Sequence, residues 1–221
     1  MGNWSGSYLK YHNQSLEPIA ARWAAPAQLI VMHMNEIIFL IGLSVYVFLL
    51  VMMRVSAKNA RFQYWPPPSK NSWQYHSLWW SLRLLAACIG WLIYMENSSI
   101  NIPYWLRFYL AMPGFIITFA LATVAAMQLG WANTHGVAEK FVASGFYKYS
   151  RNPQYVFYSA SFLLLGLWAA SLKAFVLLLI LSFGWLRLPF PEEKWLESKY
   201  GNAYLTYKNS VPRYLGWPKK S

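Results

Sequence analysis

The chain has 221 residues, of which 57% are hydrophobic and only 12% are charged; Lys and Arg number 19, against seven Glu and no Asp. The mean hydropathy of +0.26 argues against an ordinary soluble domain and indicates an integral membrane protein. The basic residues flank apolar runs, so the net charge of +12 indicates contact with membrane lipids and excludes nucleic acid as the partner. A lone cysteine, Cys88, excludes a disulfide and a thiolate metal site, and we expect no metal ion.

Five apolar stretches follow one another along the chain, at residues 29–53, 77–95, 104–129, 155–170 and 172–188. Each comes near the 20 or so helical residues that cross a hydrocarbon core about 30 Å thick. The last two are separated only by Ser171 and predict a tight helical hairpin. The predicted fold class is therefore an all-α integral membrane protein with about five transmembrane helices.

A short helix is predicted after the fifth stretch. Pro189 and Pro191 end the transmembrane helix, and Pro191 is suited to the first turn of a new one. The new helix should run to about Tyr200, with Gly201 as its stop. Its alternation of apolar and charged residues is typical of an interfacial amphipathic helix, which on this pattern alone needs no catalytic role.

The Lys and Arg residues of the loops set the orientation, because such residues resist translocation. The three basic segments are residues 54–70, 140–151 and 194–220, and all fall on one side if there are five spans. We predict an N-terminus outside and a C-terminus in the cytosol. The membrane would be the cell inner membrane in a bacterium and an ER-type membrane in a eukaryote. The predicted parts are a polar outer segment (1–28), three transmembrane helices (29–129) and a C-terminal region with the hairpin and interfacial helix (130–221).

Chemically active side chains are dense at the predicted cytosolic face of this C-terminal region. The start of the fourth span and the end of the fifth meet in space, because a minimal turn makes the two helices antiparallel neighbours. Arg151 and Glu192 should therefore lie close together despite forty or so residues between them.

Several short motifs follow one another in this region: Gly145-Phe146-Tyr147, Arg151-Asn152-Pro153-Gln154-Tyr155, Glu192-Glu193 with Leu196, Gly201, Tyr204 and Tyr207, and Val211-Pro212-Arg213-Tyr214. In order and spacing they resemble the pattern of the isoprenylcysteine carboxyl methyltransferase and phospholipid methyltransferase superfamily. The resemblance covers about seventy residues.

The resemblance implies methyl transfer from S-adenosylmethionine to a lipophilic or small membrane-partitioned acceptor at the cytosolic face. It implies catalytic roles for Arg151 and Glu192. The implied cofactor-binding residues are Tyr147, Arg151, Asn152, Pro153, Tyr155, Glu192, Glu193, Tyr204 and Tyr207. An arginine suits the cofactor carboxylate, a glutamate suits its ribose and ammonium, and tyrosine faces suit its sulfonium.

The acceptor stays open between a prenyl carboxylate, a thiol and a phospholipid amine. A thiol or an amine needs a base, for which His135 and Glu139 are the nearest titratable residues. Bulky residues follow the motif at Val156, Phe157 and Tyr158, where the family usually has a small glycine, and they predict a narrowed path for the acceptor. The alternative is a non-catalytic, methyltransferase-like subunit packed against partner membrane subunits.

Overall fold

The computed structural model describes residues 5–59, 62–136 and 141–218, and every regular element within those ranges is helical. The elements in chain order are α1 (Ser5–Lys58), α2 (Trp73–Met95), a π-helical turn (Leu106–Ala111) that continues into α3 (Met112–Leu129), α4 (Trp131–Thr134), a 3₁₀ turn (Gly145–Lys148), α5 (Pro153–Ala169), α6 (Leu172–Trp185), α7 (Pro189–Tyr200) and α8 (Asn202–Ser210). The prediction of an all-helical membrane fold is confirmed.

Four segments in the described ranges are long and apolar enough to cross a membrane: Gln28–Lys58, Trp73–Met95, Leu106–Leu129 and Leu172–Tyr200. The last joins α6 and α7 across the turn at residues 186–188. Helix α5, which carries the fourth predicted span, has 17 residues and falls short of the usual length. The count of about five spans is therefore not confirmed, although the element itself is present.

The predicted hairpin is formed by α5 and α6. Ala170 turns the chain with a φ of +51°, and the Ser171 hydroxyl caps α6 by accepting a hydrogen bond from the N–H of Ala174 (3.3 Å). The helices approach closely at Gly166, where an added Cβ would lie 2.5 Å from Cδ2 of Phe175. The hairpin is thus held by a capped turn and a close helix contact.

The other long helices pack around this hairpin. Helix α3 lies along α5, α1 lies along α2, and both α1 and α2 contact α6. The hydroxyl of Tyr46 on α1 donates to the backbone oxygen of Ile180 on α6 (2.6 Å). The core cluster here includes Leu85, Leu92 and Leu177, each nearly or fully buried.

The loop between α1 and α2 meets the start of α5 and the end of α6. The loop between α1 and α2 contributes Tyr64 and Trp65 to one buried cluster with Tyr155 and Leu188. We call this the open end of the hairpin. The turn end, at Ala170 and Ser171, lies at the other extremity of both helices.

The boundaries of α1 and α7 differ from the sequence expectations. Helix α1 continues through the predicted border at residues 28 and 29, so the three-part division of the chain stays a prediction. Helix α7 begins at Pro189 rather than Pro191 and ends at Tyr200, as expected. Gly201, with a φ of +53°, does not end helical structure, because α8 begins directly after it.

Candidate active site

A glycine shapes the turn that precedes α5. Gly145 has a φ of +62°, and a Cβ at this position would overlap the side-chain amide of Gln128. The same amide oxygen accepts a hydrogen bond from the backbone N–H of Phe146 (2.9 Å). Only glycine combines this backbone conformation with room for the amide. The turn is thereby fixed on the end of α3, and Tyr147 lies buried within it.

The tail after α8 returns to the start of α5 through its backbone. The N–H of Arg151 donates to the backbone oxygen of Pro212 (2.9 Å). The side-chain amide of Asn152 donates to the backbone oxygen of Arg213 (3.0 Å). These two hydrogen bonds join the Arg-Asn pair of the motif to the Val-Pro-Arg-Tyr segment. Two parts of the sequence motif that are far apart along the chain therefore lie side by side.

A polar cavity lies between the start of α5 and the helices α7 and α8. Seven of the nine predicted cofactor-binding residues line it: Tyr147, Arg151, Asn152, Tyr155, Glu192, Tyr204 and Tyr207. The rest of the lining is Leu129, Asn133, Gly136, Phe141, Val142, Gln154, Trp195 and Leu196. The cavity holds about 50 Å³, roughly the space of one or two water molecules.

Two of the predicted residues, Pro153 and Glu193, do not line this cavity. Pro153 is the first residue of α5, where a proline is favoured. Glu193 is 3% exposed and lies between two arginines. Its carboxylate accepts two hydrogen bonds from Arg213 (2.8 and 3.0 Å) and forms an ion pair with Arg151 (3.4 Å). Glu193 therefore balances the arginines from behind the cavity.

Arg151 has unused hydrogen-bonding capacity. Its side chain is 8% exposed, and only Nη2 contacts Glu193. Nε and Nη1 are buried and have no partner among the described residues. Buried donors in folded proteins are nearly always satisfied, so two orphaned donors on one cavity-lining guanidinium call for a ligand. Their chemistry suits an anionic oxygen group such as a carboxylate.

Glu192 is held at the other side of the cavity. Its Oε2 accepts a hydrogen bond from the hydroxyl of Tyr155 (2.6 Å), which orients the carboxylate at the start of α7. Tyr207 donates to the backbone oxygen of Tyr147 (2.7 Å). Burial raises the pKa of Tyr204 and of Tyr207, so both hydroxyls remain protonated near neutral pH. The cavity therefore combines a guanidinium, a carboxyl group and neutral aromatic faces.

A second, apolar cavity of about 540 Å³ adjoins the first. Its lining is Met53, Trp65, Leu78, Trp79, Leu82, Thr123, Ala126, Met127, Thr134, His135, Gln154, Tyr155, Tyr158, Trp185 and Leu188. Gln154 and Tyr155 belong to both linings, so the two cavities meet at the first turn of α5. Helices α1, α2, α3, α5 and α6 all contribute to the apolar one.

Residues 106–203 match the sequence profile of the phospholipid methyltransferase family. The matched region is therefore similar to that family. The family is part of the superfamily of membrane-embedded methyltransferases to which the sequence pattern pointed, so the resemblance is confirmed. The match indicates a membrane methyltransferase. No curated protein and no solved structure gives a significant match to the chain.

The phospholipid methyltransferase match spans a little under half of the chain. It includes α3, the hairpin and α7, and with them Arg151, Tyr155 and Glu192. Tyr204 and Tyr207 follow the matched region, yet line the same cavity as its residues. Helices α1 and α2 precede it and supply part of the apolar cavity. The candidate site therefore extends beyond the matched residues at both ends.

The residues that were expected to affect the acceptor lie in different places. His135 lines the apolar cavity and packs against the ring of Trp79 (4.4 Å between centroids). Glu139 lies outside the described residues. Phe157 packs against Phe146 and lines neither cavity, whereas Tyr158 lines the apolar one. The bulky residues after the motif thus leave a cavity of about 540 Å³ in place.

Sequence reasoning missed Gln154. It occupies the variable position of the Arg-Asn-Pro-x-Tyr motif, so the pattern assigned it no role. It is 5% exposed, and its side-chain oxygen has no partner among the described residues. A polar residue between Pro153 and Tyr155, in a helix predicted to be buried in the membrane, was the available signal.

Proposed function

We propose that the protein transfers a methyl group from S-adenosylmethionine to a lipophilic acceptor within the membrane. The observation that carries this proposal is the guanidinium of Arg151, buried with two unpartnered donors in a polar cavity that adjoins a larger apolar one. A charged cofactor and a lipophilic acceptor need adjoining sites of opposite polarity, and the two cavities provide them.

The residues of the polar cavity fit this cofactor chemically. Arg151 offers two donors to its carboxylate, and Glu192 offers acceptor oxygens to its ammonium or ribose hydroxyls. The faces of Tyr147, Tyr204 and Tyr207 stabilise a sulfonium cation. The cavity of about 50 Å³ is too narrow for the whole molecule, so we propose that it widens on binding.

The bound cofactor would supply an electrophilic methyl group carried on a positively charged sulfur. The chain's own contribution is mainly alignment and exclusion of water. Tyr155 lies between the cavities and fixes Glu192 through its hydroxyl. The aromatic walls of the apolar cavity keep water from the acceptor. His135 is the candidate base for an acceptor that must lose a proton.

We also propose that the open end of the hairpin faces the cytosol. Among the described residues, Lys70, Lys148, Arg151, Lys194 and Lys199 lie on the segments of this end, whereas the turn end has Arg107 and Lys173. The positive-inside rule then places the polar cavity on the side where a soluble cofactor is available.

Direct binding of S-adenosylmethionine to the purified protein in nanodiscs tests the proposal. We expect Arg151→Ala to weaken binding on the order of 100-fold, because a buried charge-assisted contact is lost. Arg151→Lys should recover part of the loss, since an ammonium cannot form the same two-donor contact. Equal affinity in wild type and Arg151→Ala would refute the assigned site.

The matched control is Arg83→Ala. Arg83 lies over the ring of Trp80 and lines neither cavity. Its removal should leave cofactor affinity unchanged. The alternative, a non-catalytic subunit that acts through partner membrane subunits, predicts no cofactor binding by wild type or by either variant.

A further inference from the structure

We infer that Gln154 selects the methyl acceptor, and that the acceptor is an uncharged lipophilic molecule that reacts through an N–H or O–H group. This inference rests on the proposed function, because it assigns the apolar cavity to the acceptor. It disfavours the prenyl carboxylate among the acceptor classes that the sequence left open.

The position of Gln154 is unusual for an amide. It lies in the first turn of α5 and lines both cavities, and only 5% of its surface is exposed. Its Oε1 has no hydrogen-bond partner in the described part of the chain. A buried carbonyl oxygen left without a donor is destabilising, because it has lost its hydrogen bonds to water. The chain keeps an unsatisfied acceptor where the two substrates would meet.

Three hydroxyl groups of the apolar cavity already donate hydrogen bonds within the protein. The hydroxyl of Thr123 donates to the backbone oxygen of Phe119 (2.9 Å), and that of Thr134 donates to the backbone oxygen of Ala126 (3.0 Å). Tyr155 donates to Glu192. The Gln154 oxygen is therefore positioned to accept a hydrogen bond from a bound molecule.

The same lining also offers hydrogen-bond donors. The indole N–H groups of Trp79 and Trp185 are buried and have no acceptor among the described residues. No Lys, Arg or Glu belongs to the described lining of this cavity. The cavity thus presents neutral donors and a neutral acceptor in an apolar surface, which matches a group that both donates and accepts, such as a hydroxyl or an uncharged amine.

A carboxylate matches this lining poorly. It has only acceptor oxygens, so it could accept from the indole N–H groups but would leave the Gln154 oxygen without a donor. Its negative charge would have no Lys or Arg in the described lining to balance it. Burying an unpaired charge in an apolar cavity is much more costly than burying a neutral polar group.

The chemistry of the reaction agrees with a hydrogen-bearing acceptor. Methylation forms a bond from nitrogen or oxygen to the methyl carbon, breaks the bond between that carbon and the sulfonium sulfur, and releases the proton of the N–H or O–H group. His135 in the same lining is the candidate to receive that proton. The product of an O–H acceptor no longer donates to Gln154, which favours its release.

Four probes on one scaffold test the inference: para-octylphenol, para-octylaniline, para-octylbenzoate and para-octylanisole. Their binding to the protein in nanodiscs is followed by the fluorescence of the tryptophans that line the cavity. We expect wild type to bind the phenol and the aniline at least about 10-fold more tightly than the benzoate and the anisole. Preference for the benzoate would overturn the inference without any mutant.

Gln154→Met keeps the length of the side chain and removes its polar atoms. We expect it to weaken the phenol and the aniline about 10-fold and to leave the anisole unchanged, because the anisole has no proton to donate. Gln154→Glu retains an acceptor oxygen and should restore binding of the phenol. An equal loss for the anisole, or no loss for the phenol, would contradict the role of Gln154.

Binding of S-adenosylmethionine is measured in parallel on the same proteins. Because Gln154 also lines the polar cavity, the inference predicts that Gln154→Met lowers cofactor affinity much less than it lowers affinity for the phenol. Loss of cofactor affinity with normal phenol binding would instead make Gln154 a cofactor residue. If wild type binds no cofactor but shows the Gln154-dependent preference, the proposed function fails while the selective site remains.

Discussion

An arginine from a neighbouring segment lies at each end of the α5–α6 hairpin, and the two arginines are bound in opposite ways. At the turn end, the guanidinium of Arg107 donates to the backbone oxygen of Trp168 (2.8 Å), to the hydroxyl of Ser98 (2.5 Å) and to the amide oxygen of Asn97 (2.7 Å). At the open end, Arg151 has one ion-pair contact and two buried donors without partners among the described residues.

The carboxylates differ in the same way. At the turn end, Lys173 lies between Glu96 (2.6 Å) and Glu36 (3.0 Å), so both carboxylates have a cationic partner. At the open end, Glu193 pairs with two arginines, whereas Glu192 faces a cavity, accepts a hydrogen bond from Tyr155 and pairs with no Lys or Arg among the described residues. A cluster in which every charged group has a partner holds the helices together. A cluster with unpaired charged groups can still bind a ligand, which is why we assign function to the open end.

Glu193→Gln should have the largest effect on stability. It removes the anion that two arginines share, and leaves Arg151 and Arg213 facing each other without compensation. Breaking a buried ion pair from one side costs about 3 kcal/mol. Thermal unfolding in nanodiscs should show a clear decrease, and cofactor affinity should fall as well, because Glu193 orients Arg151.

Glu197→Gln is the matched control on the same helix. Glu197 pairs with Lys208, and each side chain is about one-third exposed. Such a pair contributes less than about 1 kcal/mol. Similar destabilisation by both variants would show that Glu193 has no special role at the open end.

Arg107→Ala tests the turn end. Three hydrogen bonds from a charged group are lost, and we expect a decrease of about 2 kcal/mol in the free energy of unfolding. Because Arg107 lies at the far end of the hairpin, the affinity for S-adenosylmethionine below the melting temperature should equal that of wild type. A variant of normal stability but impaired cofactor binding would reverse the roles that we assign to the two ends.

The meeting of the hairpin ends was predictable from the sequence, because a turn of two residues leaves two helices no choice but antiparallel contact. The structure accordingly brings Tyr155 and Glu192 within hydrogen-bond distance. The sequence could not decide which of two adjacent glutamates faces the cavity. Neighbours on a helix point about 100° apart, and the choice depends on how α7 is rotated. That rotation is set by Arg213, whose contact with Glu193 spans 20 residues.

The number of spans and the role of Gln154 were less accessible for different reasons. Helix α5 is short because it begins at Pro153 and ends at the turn at Ala170. It is buried by its contacts with α3 and α6, although it is shorter than a usual membrane span. Gln154 becomes informative only when the partners of the other polar residues around it are known. Such a comparison requires side-chain positions, which a motif does not contain.

Tyr207→Phe should have the smallest effect, confined to the open end. The hydroxyl of Tyr207 donates to the backbone oxygen of Tyr147 and so ties α8 to the turn before α5. Both residues are more than nine-tenths buried, so the mutation leaves a carbonyl without its donor, at a cost of about 1 kcal/mol. Since the ring remains, we expect cofactor affinity to fall by no more than about 5-fold.

Tyr94→Phe is the control, because Tyr94 is 79% exposed and lies near the turn end. It should change neither unfolding nor cofactor binding. Thermal unfolding and binding are measured on both variants in the same nanodiscs. If Tyr207→Phe lowered stability as much as Glu193→Gln does, the tail would be held mainly by this hydrogen bond. The arginine pairing of Glu193 would then be secondary, and the contrast between the two ends would rest on Arg151 alone.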